Sequence, residues 1–260
     1  MKLMGVVNVT PDSFSDGGLY LDPARAIAHG EELARAGAAI LDVSGESTRP
    51  GAEEVALDEE LRRVVPVIEG LTGSDAQISI DTSKAAVAEA ALDAGATMVN
   101  DVTALRGDAE MTALCAERGA TVVLMHMLGS PATMQENPVY EDVVDEVKAF
   151  LVERVEAAIA TGIEEQRIWL DPGIGFGKTA EHNMELLRRL SELRELGCPL
   201  VVGTSRKGFI GKVDGSGASE RLGGTIASSV LAAAEGADVL RVHDVAELGQ
   251  ALAVATAILG

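Results

Sequence analysis

Residues 77–95, QISIDTSKAAVAEAALDAG, hold one complete structural unit. Ile78 and Ile80 alternate with polar neighbours as a strand would, and the run closes on Asp81. KAAVAEAALDAG then carries a helical pattern ended by Gly95, the residue favoured just past a helix terminus. The unit recurs along the chain. Short apolar runs at 3–9, 39–43, 77–81, 98–102, 121–127, 167–171, 200–203 and 239–243 read as strands. Between them lie helical patterns such as PARAIAHGEELARAG, DEELRRVVPVIEGL and EDVVDEVKAFLVERVEAAIATG. The last places Val143, Val147, Phe150, Leu151, Val155 and Ile159 on one stripe. Gly37, Gly119, Gly162, Gly197 and Gly236 close further segments as Gly95 does. Eight strands, each followed by a helix, predict a single (β/α)8 TIM barrel. A doubly wound sheet usually has fewer strands. With no linker or break in composition, residues 1–260 read as one domain.

Composition narrows the function classes. The chain has 47% apolar residues, enough for a large core, and only 3% aromatic ones. Its 41 acidic and 21 basic residues give a net charge of −20, which disfavours nucleic acid and anionic membranes as partners. Two distant cysteines, Cys115 and Cys198, predict a reduced, cytoplasmic protein. No signal peptide is read at the start, and no run approaches the ~20 apolar residues of a membrane span.

Polar residues gather where strands end. Strand two leads into DVSGESTRPGA, strand three closes on IDTS and strand four carries NDV. Strands six, seven and eight give LDPGIGFGK, VGTSRKGFIG and RVHD. One such Asp or Asn is ordinarily a helix cap, but so many in succession point to a ligand at the barrel mouth. Arg241 and His243 share one face of strand eight, and Gly203, Ser205 and Lys207 would share one if strand seven runs that far. Arg49 and Arg241 offer forked donors to an anion, while Asp81 and Asp171 offer acceptors to a donor-rich ring. PGIGFGKT lacks the first glycine of a P-loop. His29, His126 and His182 make no zinc pattern, and His126 reads as a barrel-interior residue near the mouth. After strand one, residues 5–18, GVVNVTPDSFSDGG, turn from apolar to polar, with Phe14 alone among turn formers. A core has no use for such a loop; a ligand at the mouth does.

Taken in order, NVTPDSFSDGG, GESTRPGA, IDTSK, NDV, DPGIGFGKT, SRKGFIG and RVHDV resemble the dihydropteroate synthases, pterin-binding enzymes of folate synthesis. The resemblance covers residues 5–245. It implies condensation of 6-hydroxymethyl-7,8-dihydropterin diphosphate with 4-aminobenzoate to 7,8-dihydropteroate and pyrophosphate. By the same resemblance Asp81, Asn100, Asp171 and Lys207 read the pterin, and Met125, Phe176 and Gly203 line or make room for its ring. Arg241 and His243 hold the diphosphate, with Thr48 at its edge. Asn8 is the protein ligand of Mg²⁺, the implied cofactor. Phe14 and Pro50 sandwich the aminobenzoate, and Arg49 and Asp16 organise the closed state, with Gly17 and Gly18 as hinge. Asp81, Lys207, Arg49 and Asp16 thus form the implied catalytic set. Inhibition by sulfonamides and a homodimer formed through the last helices are also implied.

The departures are small. Ser44 stands where the family commonly has Gly. Gly208 follows the SRK lysine where some members have a Ser that meets the aminobenzoate carboxylate, so a backbone N–H would serve there. Two other enzyme readings stand beside this one: a condensation with a modified aminobenzoate of the methanopterin type, and a methyltetrahydrofolate:corrinoid methyltransferase. The latter needs neither a diphosphate grip nor the NVTPDSFSDGG loop. A non-catalytic pterin binder could lose Asn8, Arg49 and Lys207, all of which are present.

Overall fold

Eight parallel strands, β1 (Lys2–Asn8), β2 (Ile40–Ser44), β3 (Gln77–Asp81), β4 (Met98–Asp101), β5 (Thr121–Met125), β6 (Ile168–Asp171), β7 (Val201–Val202) and β8 (Val239–Val242), form one continuous sheet. The computed structural model describes residues 1–10, 22–49, 51, 52, 54–131 and 133–259. Phe14, Asp16, Gly17, Gly18 and Pro50, singled out in the sequence, lie outside these residues. The strand order is β6-β5-β4-β3-β2-β1-β8-β7. Its two edges meet through a bridge between Leu170 and Leu200, where the Leu170 N–H donates to the Pro199 carbonyl at 2.9 Å. The sheet therefore closes into a (β/α)8 barrel, as the repeating unit predicts.

Helices α1 (Pro23–Arg35), α2 (Leu57–Leu71), α3 (Ala85–Asp93), α4 (Met111–Arg118), α5 (Val143–Ala160) and α6 (Ala180–Arg188) follow the first six strands in turn. Between β7 and β8 stand α7 (Gly208–Asp214) and α8 (Leu222–Ala234), and α9 (Val245–Leu259) follows β8. Local chemistry starts and stops them. The Asp22 carboxylate accepts from the Ala24 N–H at 2.9 Å, with Pro23 in the first turn. Asp142 accepts from both Val144 and Asp145 at the start of α5. The six predicted closing glycines all have positive φ, among them Gly95 at 116° and Gly236 at 102°. A side chain is strained in that conformation.

Period-two alternation divides the core. Leu41, Val43, Ile78, Ile80, Val99, Val122, Leu124, Ile168, Leu170, Leu240 and Val242 face the helices in one large apolar cluster. Met4, Ile40, Met98, Val123, Trp169, Val201 and Val239 form a separate cluster inside the barrel. Each such side chain, fully buried, contributes about 1.5–3 kcal/mol.

Three expectations need correction. Strand seven covers Val201–Val202 rather than 200–203, and so does not continue to Lys207. On α5 the buried stripe is Val143, Val144, Val147, Leu151 and Ala158, while Ile159 is 42% exposed. A true 3.6-residue period carries the stripe past Ile159 by the end of a helix this long. His126 follows inward-facing Met125 and so turns outward, against Phe150 of α5 with ring centroids 4.9 Å apart. Among the described residues no helix is long and apolar enough to cross a membrane.

Candidate active site

Strand register brings the mouth residues into rows. Asn8 pairs with Ser44, Ser44 with Asp81, and Asp81 with Asn100, so four strands align them at one level. Two steps inward from Ser44 lies Asp42, fully buried and inside β2. The Arg241 guanidinium reaches across from β8. It donates through Nε to Asp42 Oδ2 at 2.6 Å and through Nη2 to Asp81 Oδ2 at 2.7 Å. The Asn100 amide donates to the same Asp42 oxygen at 3.0 Å. The other Asp42 oxygen is buried without a partner among the described residues. Gly203 lies beside this crossing, where a Cβ would meet that of Arg241 at 3.7 Å, an ordinary contact.

Opposite this group, β6 ends at Asp171, whose Oδ1 accepts from the Gly173 N–H at 2.7 Å. The 173–178 loop then folds tightly over the end of β5. At Gly173, with φ of 69°, a Cβ would fall 1.9 Å from the His126 carbonyl oxygen, so only glycine fits. The Lys178 ammonium, 2% exposed, fastens the loop from beneath. It donates to His126 Nδ1 at 2.8 Å and to the Phe176 carbonyl at 3.0 Å. Tyr140 donates from its hydroxyl to the Gly177 carbonyl at 2.7 Å, and Asn183 Oδ1 accepts from the Gly175 N–H at 2.6 Å. So held, Phe176 packs on Val102, Met125, Met127 and Met134 as an apolar wall.

Lys207 reaches the mouth by a turn. Arg206 takes φ of 56°, and its N–H donates to Thr225 Oγ1 of α8 at 2.9 Å. Thr204 and Ser229 share a hydroxyl bond of 2.8 Å. The turn delivers Lys207 to the first residue before α7, with its Nζ 4.0 Å from the centre of the Phe176 ring. Ser205 Oγ lies 2.9 Å from His243 Nδ1 and also accepts from the His243 N–H at 3.3 Å. Arg49 is exposed and Thr48 half-buried, and exposed Gly208 opens α7.

Burial sets the electrostatics. It pushes Asp81 up to about 7, with Arg241 opposing. Asp171 is raised for the same reason, against its bond from Gly173 and the charge of Lys207. Lys207 is held down to about 8 by burial and then by Arg241, and Lys178 to about 7 by burial. His243 falls to about 4 through burial and Arg241, and is neutral at pH 7. Arg49 is close enough to lower both Lys207 and His243.

The structure thus gathers Asp81, Asn100, Asp171, Lys207, Arg241 and His243 at one mouth, with Met125, Phe176 and Gly203. Sequence reasoning missed Asp42 and Lys178. Asp42 had a signal, a charge at the inward phase two residues after Ile40. Lys178 was hidden in the GKT that fails as a P-loop. His182 is accounted for structurally, as the third residue of a capping box with Thr179.

The family model of the pterin binding enzymes matches residues 4–243. The dihydropteroate synthase of Escherichia coli (strain K12) is 47% identical over 258 residues, covering 99% of this chain and 91% of the relative. A Xanthomonas albilineans dihydropteroate synthase solved with 4-aminobenzoic acid superposes with a TM-score of 0.94 at 49% identity, covering 100% of this chain and 93% of that one. The Yersinia pestis dihydropteroate synthase in a sulfonamide drug complex gives a TM-score of 0.95 at 44% identity, covering 99% and 94%. With its barrel closed and its mouth so furnished, the chain belongs to the pterin-binding enzymes and, among them, to the dihydropteroate synthase family.

Proposed function

We infer that this chain condenses 6-hydroxymethyl-7,8-dihydropterin diphosphate with 4-aminobenzoate, releasing pyrophosphate and forming 7,8-dihydropteroate. The observation that carries this reading is the facing of two buried carboxylates, Asp81 and Asp171, across a mouth that also holds Lys207 and Arg241. Asp81, Asn100 and Asp171 accept from the ring N–H and amine of the pterin. Lys207 donates to its carbonyl edge, and the Met125–Phe176 wall takes one face. Asp81 accepts from Arg241 Nη2 at 2.7 Å. Entry of the pterin gives Asp81 a new donor and frees a guanidinium edge for the diphosphate. Neutral His243 stands beside the same tail, and Thr48 lines its edge.

In the reaction the methylene C–O bond breaks and its electron pair leaves with pyrophosphate. The arylamine nitrogen then forms the new C–N bond and loses its proton to solvent. Asp81 stabilises positive charge developing on the ring, while Arg241 and His243 meet the negative charge that departs. Phe14 and Pro50 hold the arylamine ring, the Gly208 N–H meets its carboxylate, and Arg49 and Asp16 order the closed site.

Asn8 Oδ1 offers one hard oxygen ligand at the end of β1, and no cluster of three metal-binding side chains exists among the described residues. That donor set fits magnesium, which keeps several waters and binds chiefly through phosphates. When bound, Mg²⁺ would neutralise charge on the diphosphate. A homodimer also belongs to this reading: Leu231 of α8 and Val254 and Ile258 of α9 are 63%, 55% and 77% exposed, an apolar face suited to a second copy. Unpaired, buried Cys115 and Cys198 fit a reducing cytoplasm.

The test is pyrophosphate release by the purified chain with pterin diphosphate and Mg²⁺, offered 4-aminobenzoate or its ribosylated analogue, with the product weighed by mass spectrometry. Turnover only with the analogue would move the assignment to the modified condensation. No turnover with either would defeat it. Sulfonamides should inhibit competitively against 4-aminobenzoate.

A further inference from the structure

Behind the segment that joins β2 to α2 lies an ion network with no part in the steps above. Lys84, between β3 and α3, donates from Nζ to three acceptors. They are a carboxylate oxygen of Glu46, the Val55 carbonyl at 2.8 Å, and Glu60 Oε2 at 2.6 Å. Glu46 opens the segment and Val55 ends it. Glu60, on α2, is fully buried, and its second oxygen accepts from Thr82 Oγ1 at 2.8 Å. Thr82 adjoins Asp81 in sequence. The front of the segment is fastened further: Ser44 Oγ donates to the Glu46 carbonyl at 2.6 Å, and Arg63 donates to the Gly45 carbonyl at 2.8 Å. Burial opposes a charge on Lys84, but its bonds to Glu46 and Glu60 prevail and hold its pKa above the ordinary lysine value.

Neutralising buried Glu60 needs one cation and one bond. Lys84 instead draws both ends of a single segment to one nitrogen, and Thr48 and Arg49 lie two and three residues from its front anchor. We propose that Lys84 is a positioning residue for the condensation, tying both ends of segment 46–55 to the end of β3 and so fixing Thr48 and Arg49 relative to Asp81. The inference rests on the reaction inferred above. A misplacement of about 1 Å at residues that order a reacting site can lower its rate about 10²-fold.

The test compares Lys84→Met with the wild-type chain. Its kcat should fall about ten- to hundredfold and its KM for the arylamine should rise. Affinity for a pterin lacking the diphosphate, measured by titration calorimetry, should stay within about twofold, since Asp81, Asn100, Asp171 and Lys207 are untouched. Amide exchange should quicken at Thr48 and Val55 and stay unchanged at Ile80 and Asn100. Glu46→Gln frees the front anchor alone and should give a smaller loss of the same kind, with the double variant no worse than Lys84→Met. Unchanged kinetics, a parallel loss of pterin affinity, or additive effects would each overturn the proposal. If Lys84→Met does not fold, Glu46→Gln is judged by the same criteria. A wild-type chain that releases no pyrophosphate defeats the reaction instead, and the exchange pattern still decides whether Lys84 holds the segment.

Discussion

The two ends of the barrel interior are built from the same inward-facing positions yet contain opposite chemistry. At the N-terminal end Ile40, Met98, Trp169, Val201 and Val239 fill the cylinder with apolar side chains. Two residues further along the same strands stand Asp42, Asn100, Asp171, Gly203 and Arg241. One step of the pleat thus separates a layer that stabilises the fold from a layer that strains it. Burying Asp42, Asp81 and Asp171 is unfavourable, and it is offset by the charges of half-buried Arg241 and Lys207 and of buried Lys178 nearby. The lower layer gives the upper one a rigid platform. The upper layer is a set of donors and acceptors that satisfy one another across the mouth.

If that division is right, substitutions in the two layers have separable effects. The largest belongs to Asp81→Asn, which leaves Arg241 without one of its two carboxylates. Losing the carboxylate that meets developing positive charge should lower kcat/KM at least about 10²-fold, while circular dichroism below the melting temperature stays native. Near-normal turnover would break the comparison outright. Next is Met98→Ala in the lower layer, which should destabilise the chain by about 2–5 kcal/mol. Its melting temperature should drop by several degrees, with kcat/KM within about twofold of wild type at a temperature where both are folded. A selective loss of activity would mean the layers are not independent.

Lys207→Met removes a charged donor worth about 1.5–3 kcal/mol. Pterin affinity by calorimetry should weaken about 10- to 150-fold, and the melting temperature should not fall. The smallest effect is on pH. Asp81 must be ionised to accept, so activity is lost as pH falls below about 7. Lys207 must be protonated to donate, so activity is lost again as pH rises above about 8. The profile of kcat/KM should be a narrow bell, tenfold lower for each unit beyond either limb. Lys207→Arg should keep residual activity and lose the alkaline limb; a profile flat from pH 5 to 9 would refute both assignments.

How legible the molecule was in its sequence followed the same division. Strand β3 was read at its true limits because Ile78 and Ile80 alternate and Asp81 punctuates them. Every strand that carries the site was found, and so were the polar residues at strand ends, where a charge is conspicuous. What escaped depends on distant partners. Strand β7 is two residues long because hydroxyls of α8 capture the following turn, and nothing local in VVGTSRK announces Thr225 or Ser229. Asp42 was passed over as one polar letter in an apolar run, since its partner Arg241 is 199 residues away. Lys178 and His126 make sense only as a pair, brought together by a glycine 47 residues beyond the histidine whose missing Cβ admits a carbonyl oxygen.

Trp169 is the chain's one tryptophan, and it lies on the strand that forms one side of the barrel's closing seam. Lys2 stands 5.2 Å from its ring centre, at the end of the cylinder remote from Asp81 and Asp171. The one tryptophan therefore stands at the joint where the cylinder would come undone. Its emission should stay silent as ligands fill the mouth and change colour only when the seam parts, so one optical signal follows unfolding through a titration of any non-absorbing inhibitor.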